Sequence, residues 1–391
     1  MELLVVLSRV PYPLDKGDKL RAYHQLKLLS QSHNISLFCL NEGKLHPDAK
    51  TELKKLCKRV EVVQFSKLQL AFNLLKAFRN KLPFQVNYFL SKRAQKKFDK
   101  FCEEQLPDLI YCQLVRTAEY VKKYQTIPLV IDYMDSLSSA MERRSKSANM
   151  IFKPVVANEA FRLKNYEEYL SKVFTYQTII SNQDFKLLNI KDKSKLKIIP
   201  NGVDLKHFKP KTTKQDFDFV FVGNMAYPPN VDAVIYFAEE IFPLILKTNP
   251  KANFLISGTQ PVSKVLALQS NNIKITGFVK DITESYARAK VFVAPLRQGA
   301  GLQNKLLEAM AMKMPFVATP IAFNALGLND KDLLCAETNA AFAKGCLNFL
   351  ENEKLRIEIG EKLSQFVENE FSWEKQAKKL NQVFEMAVNQ N

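Results

Sequence analysis

Short runs of apolar and β-branched residues recur along the chain, separated by longer stretches in which apolar positions return every three or four residues. In the first half such runs occupy 3–8, 34–40, 59–65, 108–112, 128–132 and 178–181. Between the first two, Leu20, Tyr23, Leu26, Leu28 and Leu29 fall at helical spacing over 20–30. Strands alternating with helices predict parallel βαβ units and a doubly wound α/β sheet. The pattern then begins again. The run 197–199 leads into the turn Pro200-Asn201-Gly202, and a polar, lysine-rich stretch covers 206–215. Further strands are expected at 217–222, 252–257, 273–275, 291–294 and 316–318, with helical patterns at 231–246 and 305–312. A last helix over 373–388 carries Ala377, Leu380, Val383, Phe384 and Ala387 on one face.

Two successive Rossmann-like halves are therefore predicted, 1–195 and 196–370, followed by a terminal segment 371–391. Ligands are expected in a crevice at the carboxyl ends of the strands. The length of 391 residues agrees, being more than one hydrophobic core usually organises. Charge adds something new: 57 Lys+Arg against 40 Asp+Glu leaves a formal +17, which favours an anionic partner. Nucleic acid, anionic lipid and a phosphorylated substrate all meet that description, and the lack of a recognisable nucleic-acid module argues against the first. Cys39, Cys57, Cys102, Cys112, Cys335 and Cys346 form no CxxC pair and read as reduced cytosolic thiols. The N-terminal run follows Met1-Glu2 with no basic segment before it, which reads as a buried strand rather than a signal peptide. No apolar stretch approaches the ~20 residues of a membrane span, so a cytoplasmic protein is expected.

The densest chemistry lies at 294–311, where a strand ends at Ala294, Gly299-Ala300-Gly301 makes a turn and a helix opens. Backbone N–H groups at such a helix start attract anions, and the glycines allow close approach of a diphosphate. Arg297 and Lys305 add cations, and Glu308 stands one to two turns on, placed for ribose hydroxyls. The plainer reading is an ordinary strand–helix turn.

This segment resembles the donor-binding motif of glycosyltransferase family 4, the group 1 enzymes of GT-B fold. Glu308-Ala309-Met310-Ala311 matches the second half of that motif, whereas the family's first acid, eight positions earlier, is Ala300 here. The form Gly-x-Gly-x-x-x-Lys-x-x-Glu is similar to a subset associated with exosortase-linked exopolysaccharide systems. Ile199-Pro200-Asn201-Gly202-Val203-Asp204 resembles the family's interdomain turn, with Asn-Gly read as a turn tolerant of positive φ. Glu159, Arg162, Tyr166 and Glu167, with 179–184 after them, resemble the helix–strand pair that closes the first domain, and Phe371-Ser372-Trp373 resembles the segment that crosses back to it. The resemblance thus implies two Rossmann-like domains facing a cleft and a C-terminal helix returning to the first.

It also implies an activity: metal-independent hexosyl transfer from a nucleoside-diphosphate sugar, with retention, to a glycan or lipid-linked acceptor of a surface or exported polysaccharide. Gly299, Gly301, Leu302, Asn304, Lys305, Glu308 and Gly17 are then the donor-binding residues, and Lys305, Arg297 and Asp135 the catalytic ones. Asp18, Arg21, His24 and Gln113 fall on the acceptor side. No cofactor is expected, and no Asp-x-Asp motif stands at a suitable strand end to hold a metal. Two departures remain: 223–230 lacks the family's usual basic pair, and Gln113 stands where a histidine often does. They keep open a non-catalytic sugar-nucleotide or glycan-binding subunit of the same fold, and a GT-B-type epimerase.

Some readings stay two-sided. The loop 11–21 brings Gly17 and Asp18 amides toward donor phosphates, or is a solvated surface loop. Asp135 acts as a general base, or it and Ser136 cap a helix. His24 is an acceptor contact or a structural histidine. The stretch 67–100, with Lys76, Arg79, Lys81, Lys92, Arg93, Lys96, Lys97 and Lys100 among apolar residues such as Leu70, Phe72, Leu74, Leu75, Phe78, Phe84 and Phe89, reads as a basic amphipathic helix on the inner face of the cytoplasmic membrane or as a solvated face over core.

Overall fold

The computed structural model describes residues 1–298, 302–329 and 331–390. The chain divides into two compact units, one of residues 1–200 with 376–391, the other of 201–375.

In the first unit the strands are β1 (Glu2–Leu7), β2 (Asn34–Glu42), β3 (Arg59–Phe65), β4 (Leu109–Gln113), β5 (Leu129–Asp132), β6 (Tyr176–Ile179) and β7 (Leu196–Ile198). They form one sheet in the order β3-β2-β1-β4-β5-β6-β7, parallel throughout. Leu3, Val5 and Leu7 face one core layer, and Leu4 and Val6 face the other. A strand covered on both faces reads as a continuous apolar run for this reason. The last strand, β7, pairs with β6, and this unit runs on to Pro200. Helix Trp373–Asn389 contributes Leu380, Val383, Phe384 and Ala387 to the core layer beneath β1, β2 and β4.

The second unit holds β8 (Phe217–Val222), β9 (Phe254–Ser257), β10 (Ile273–Ile275), β11 (Ala289–Ala294) and β12 (Phe316–Ala318). Their order is β10-β9-β8-β11-β12, again parallel. Both sheets are thus Rossmann-like, with sequential strands stepping outward from a central pair. Gly202 does not take positive φ. Its constraint is space: a Cβ there would come 2.7 Å from Trp373, while Val203 N–H donates to Phe371 O at 2.8 Å. The Asn-Gly turn and the Phe-Ser-Trp segment are therefore packed against each other within this unit.

The stretch 67–100 is not one helix. It folds as Lys67–Ala77, Phe84–Phe89 and the start of Lys92–Glu103. Ser66 and Ser91 cap the first and third by accepting N–H bonds from Gln69 and Ala94, and Pro83 precedes the second. Phe89 is buried, but Leu68, Phe72, Leu75 and Phe78 stand exposed. No described helix is long and apolar enough to cross a membrane.

Candidate functional site

At the carboxyl edge of the second sheet the chain leaves β8 at Gly223 and β9 at Gly258. These backbones nearly touch: a Cβ on Gly258 would fall 1.7 Å from Gly223 O, and its φ is +145°. Only glycine fits there. Beside them, helix Asn304–Ala311 follows β11. Leu306, Leu307 and Met310 are buried in the core, which turns Lys305 and Glu308, three residues apart, to the other face.

Lys305 is half-buried against the Phe221 ring, its Nζ 4.5 Å from the ring centre, and donates a hydrogen bond to Asn230 Oδ1. Burial pushes its ammonium pKa down to about 7, with the Glu308 charge opposing the shift. Glu308 moves the other way. Burial raises its pKa, partly offset by the Tyr286 hydrogen bond and by Lys305. Tyr286 Oη donates to Glu308 Oε2 at 2.7 Å and also lies 3.2 Å from Lys305 O. Asn230 sits on the helix that follows the loop 223–230. The lysine of one helix therefore reaches the loop where a basic pair was missing. A cation and an acid, each partly stripped of water, form a pair suited to an anionic ligand with hydroxyl groups.

The other expected donor residues are placed as follows. Leu302 is buried in the core of this unit. Asn304 opens the helix and accepts from Asn201 Nδ2 at 3.0 Å. Gly299 and Gly301 lie outside the described residues. Arg297, expected on a diphosphate, is engaged elsewhere: Nε and Nη2 grip both Asp232 carboxylate oxygens, at 3.1 and 2.5 Å, and the guanidinium covers the Tyr236 ring.

In the first unit, Gly17 begins helix Gly17–Leu29, and a Cβ there would meet nothing. Asp18 is taken by Arg9 Nη1 at 2.8 Å. Arg21, expected on the acceptor side, is fully buried instead. Its Nε donates to Asp132 Oδ2 at 2.6 Å and its Nη1 to Pro200 O at 3.1 Å. Met134 N–H donates to Asp132 Oδ1 at 3.1 Å. The Tyr111 hydroxyl, 3.0 Å from both Asp132 Oδ2 and Gln25 Oε1, donates to one of them. This is a sheet-edge anchor rather than a ligand contact. His24 is likewise buried, its ring edge-on to Tyr23. Gln113 ends β4 with its Nε2 buried and without a hydrogen-bond partner among the described residues.

Asp135 follows β5. Ser136, not Asp135, takes the N-cap position of helix Leu137–Ser147, and it makes no side-chain cap bond. Burial, then Asp184 and Asp132, push the Asp135 pKa up to about 7, against Arg21 and Arg143. The residues that leave β4 and β5, Leu114 and Met134, have φ of 65° and 62°. Left-handed backbone at non-glycine residues costs energy, and it gathers at this carboxyl edge. Sequence reasoning missed Tyr286, whose contact with Glu308 crosses between elements with no spacing signal. Asn230 was legible only as part of the cation-free loop. Among the described residues no three His, Cys, Asp or Glu side chains gather as a metal site would require.

Residues 216–352, which contain β8 to β12 and the Lys305–Glu308 helix, match the family model "Glycosyl transferases group 1". The "Uncharacterized 44.6 kDa protein in cps region" of Klebsiella pneumoniae is 26% identical over 402 residues, covering 96% of this chain and 97% of its own. The Escherichia coli UDP-Gal:alpha-D-GlcNAc-diphosphoundecaprenol alpha-1,3-galactosyltransferase is 27% identical over 252 residues, 57% of this chain and 63% of its own. Among solved structures, sucrose-phosphate synthase from Thermosynechococcus elongatus superposes with a TM-score of 0.72 at 14% identity over the whole of both chains. The chain has the GT-B fold of two Rossmann-like domains. Its residues 216–352 are similar to the group 1 glycosyltransferases.

Proposed function

We propose that the protein transfers a sugar, with retention, from a nucleoside-diphosphate sugar to a glycan or lipid-linked acceptor, in the assembly of a surface or exported polysaccharide. The observation that carries this reading is the Lys305–Glu308 pair at the carboxyl edge of the second sheet, with Tyr286 orienting the acid. Glu308 would hold ribose hydroxyls and Lys305 the diphosphate. When the glycosidic bond to the donor breaks, its electron pair leaves with the nucleoside diphosphate, and negative charge grows on the β-phosphate. A fixed cation there stabilises the transition state more than the bound substrate. Acceptor binding belongs to the first unit, where Asp135, with a pKa of about 7, is suited to take the acceptor hydroxyl's proton.

The relative in a cps region supports the polysaccharide assignment. The named galactosyltransferase, with its UDP-sugar donor and lipid-diphosphate acceptor, supports the substrate classes. The exposed apolar residues of helix Lys67–Ala77 support work at an anionic membrane surface. Leu68, Phe72 and Leu75 recur at helical spacing, beside Lys67, Lys76, Arg79 and Lys81.

The test is to incubate the purified protein with UDP-, GDP-, ADP- and dTDP-sugars, with and without a polyprenyl-diphosphate-linked sugar, and to follow both by mass spectrometry. One donor consumed only when acceptor is present is the expected result. Conversion without acceptor would indicate an epimerase. Nucleotide binding with no turnover would indicate a binding subunit.

A further inference from the structure

A second site lies in the first unit, beside the Arg9–Asp18 pair. Arg9 just after β1, Glu42 at the end of β2 and Arg116 just after β4 line an open cavity of about 260 Å3 together with Leu74, Phe84, Gln85, Tyr88 and Phe89. Its charges are unevenly matched. Glu42 is served twice, by Arg9 Nη2 at 3.5 Å and by the Tyr88 hydroxyl at 2.8 Å. Arg9 also holds Asp18. Arg116, by contrast, has only a neutral partner: its Nε and Nη2 donate to Gln85 Oε1 at 3.2 and 2.7 Å. Among the described residues no carboxylate pairs with it. Burial, then the neighbouring Arg9 charge, lowers its pKa, against the charges of Asp18, Glu42 and Glu159, and an arginine stays protonated throughout the usual range.

Such a cation is costly to keep unless an anion arrives. The fork of Arg116 is held in place by Gln85, and Gln85 stands in a helix whose first N–H groups are fixed by Glu159. That carboxylate accepts from Phe84 N at 2.6 Å and from Gln85 N at 3.0 Å. The lining also includes the apolar side chains of Leu74, Phe84 and Phe89. Leu74 belongs to helix Lys67–Ala77, whose outward residues Leu68, Phe72 and Leu75 are exposed, and Phe78 of the same segment packs on Phe84 with ring centres 5.0 Å apart. The guanidinium of the lining thus suits phosphoryl oxygens, and Phe84 of the same lining is in ring contact with the exposed Phe78.

We propose that this cavity receives the acidic group of the acceptor, a phosphate or diphosphate esterified to an apolar chain, with Arg116 pairing the phosphoryl oxygens. The inference rests on the transferase reading, since it gives that reading's acceptor a place.

The experiment is calorimetric titration of the full chain with farnesyl diphosphate, inorganic pyrophosphate, glucose 1-phosphate and UDP, on wild type, Arg116→Gln and Arg116→Lys. Farnesyl diphosphate should bind wild type more tightly than either soluble phosphate. Arg116→Gln should weaken it at least tenfold, Arg116→Lys should restore part of the loss, and UDP affinity should be the same in all three. Equal farnesyl diphosphate affinity in wild type and Arg116→Gln, or none in wild type, would overturn the proposal. Equal affinity for glucose 1-phosphate and farnesyl diphosphate, both lost in Arg116→Gln, would overturn its apolar half. Farnesyl diphosphate binding as expected, with no binding of UDP, GDP, ADP, CMP or dTDP, would uphold the cavity and refute the donor site.

Discussion

Tyr286 Oη lies 2.7 Å from Glu308 Oε2 and donates its proton to it, joining the helix before β11 to the helix after it. The tyrosine is buried and its own pKa is driven well up, first by that burial and then by the Glu308 charge. It therefore remains a donor at any working pH. The contact keeps one carboxylate oxygen occupied and sets the direction of the other.

Removing that hydroxyl is accordingly informative. In Tyr286→Phe the acid loses its orienting donor and becomes harder to ionise. Nucleotide affinity should fall about three- to tenfold, the equivalent of one ordinary hydrogen bond, with little change in thermal stability. Fluorescence titration with the cognate nucleotide measures it.

Lys305 predicts a pH dependence. Its pKa in the free protein is about 7, and a bound diphosphate raises it, so binding takes up a proton above that pH. Affinity should fall as pH rises from 7 toward the bound-state pKa, by up to about tenfold per pH unit. Lys305→Arg, charged over the whole window, should show a flat profile between pH 6.5 and 9. Titrations in buffers of different ionisation enthalpy report the proton uptake directly.

Arg21 and Asp132 form a fully buried ion pair. Arg21→Met strands the carboxylate and should cost about 3–5 kcal/mol in urea unfolding. UDP affinity of the folded fraction should be unchanged.

Asp135 predicts a pH-dependent gain. Its folded pKa of about 7 lies above the unfolded value near 3.9. The stability this shift contributes is complete below about pH 4 and lost as pH rises through 7. Asp135→Asn should therefore be more stable than wild type at pH 8, by on the order of 1–3 kcal/mol, and indistinguishable at pH 4. Denaturant melts at the two pH values decide it, and the variant should also slow transfer.

Much of the fold was legible because its physics is local. A strand buried on both faces must be apolar along its length, and the runs at 3–8, 34–40 and 217–222 fall on β1, β2 and β8. Lys305 and Glu308 were legible because helical spacing sets them on one face of a short helix after a strand. Arg21 was not. A basic residue on a first helix looks available for ligand, and its partner Asp132 is 111 positions away. The stretch 67–100 was misread as one helix because charge and apolar content were weighed above its breaks. Pro83 and the caps Ser66 and Ser91 were there to read. Arg116 carries no spacing signal of its own, since the cavity it lines is assembled from residues at the ends of three strands.

The central claim is that the Lys305–Glu308 helix forms the donor site. Its most direct test is calorimetric titration of UDP, GDP, ADP, CMP and dTDP into wild type, Glu308→Ala and Lys305→Gln. One nucleotide should bind wild type, and its affinity should drop at least tenfold in both variants while their unfolding temperatures stay close to wild type. Undiminished affinity in Glu308→Ala and Lys305→Gln, or no binding of any nucleotide at millimolar concentration, would contradict the account.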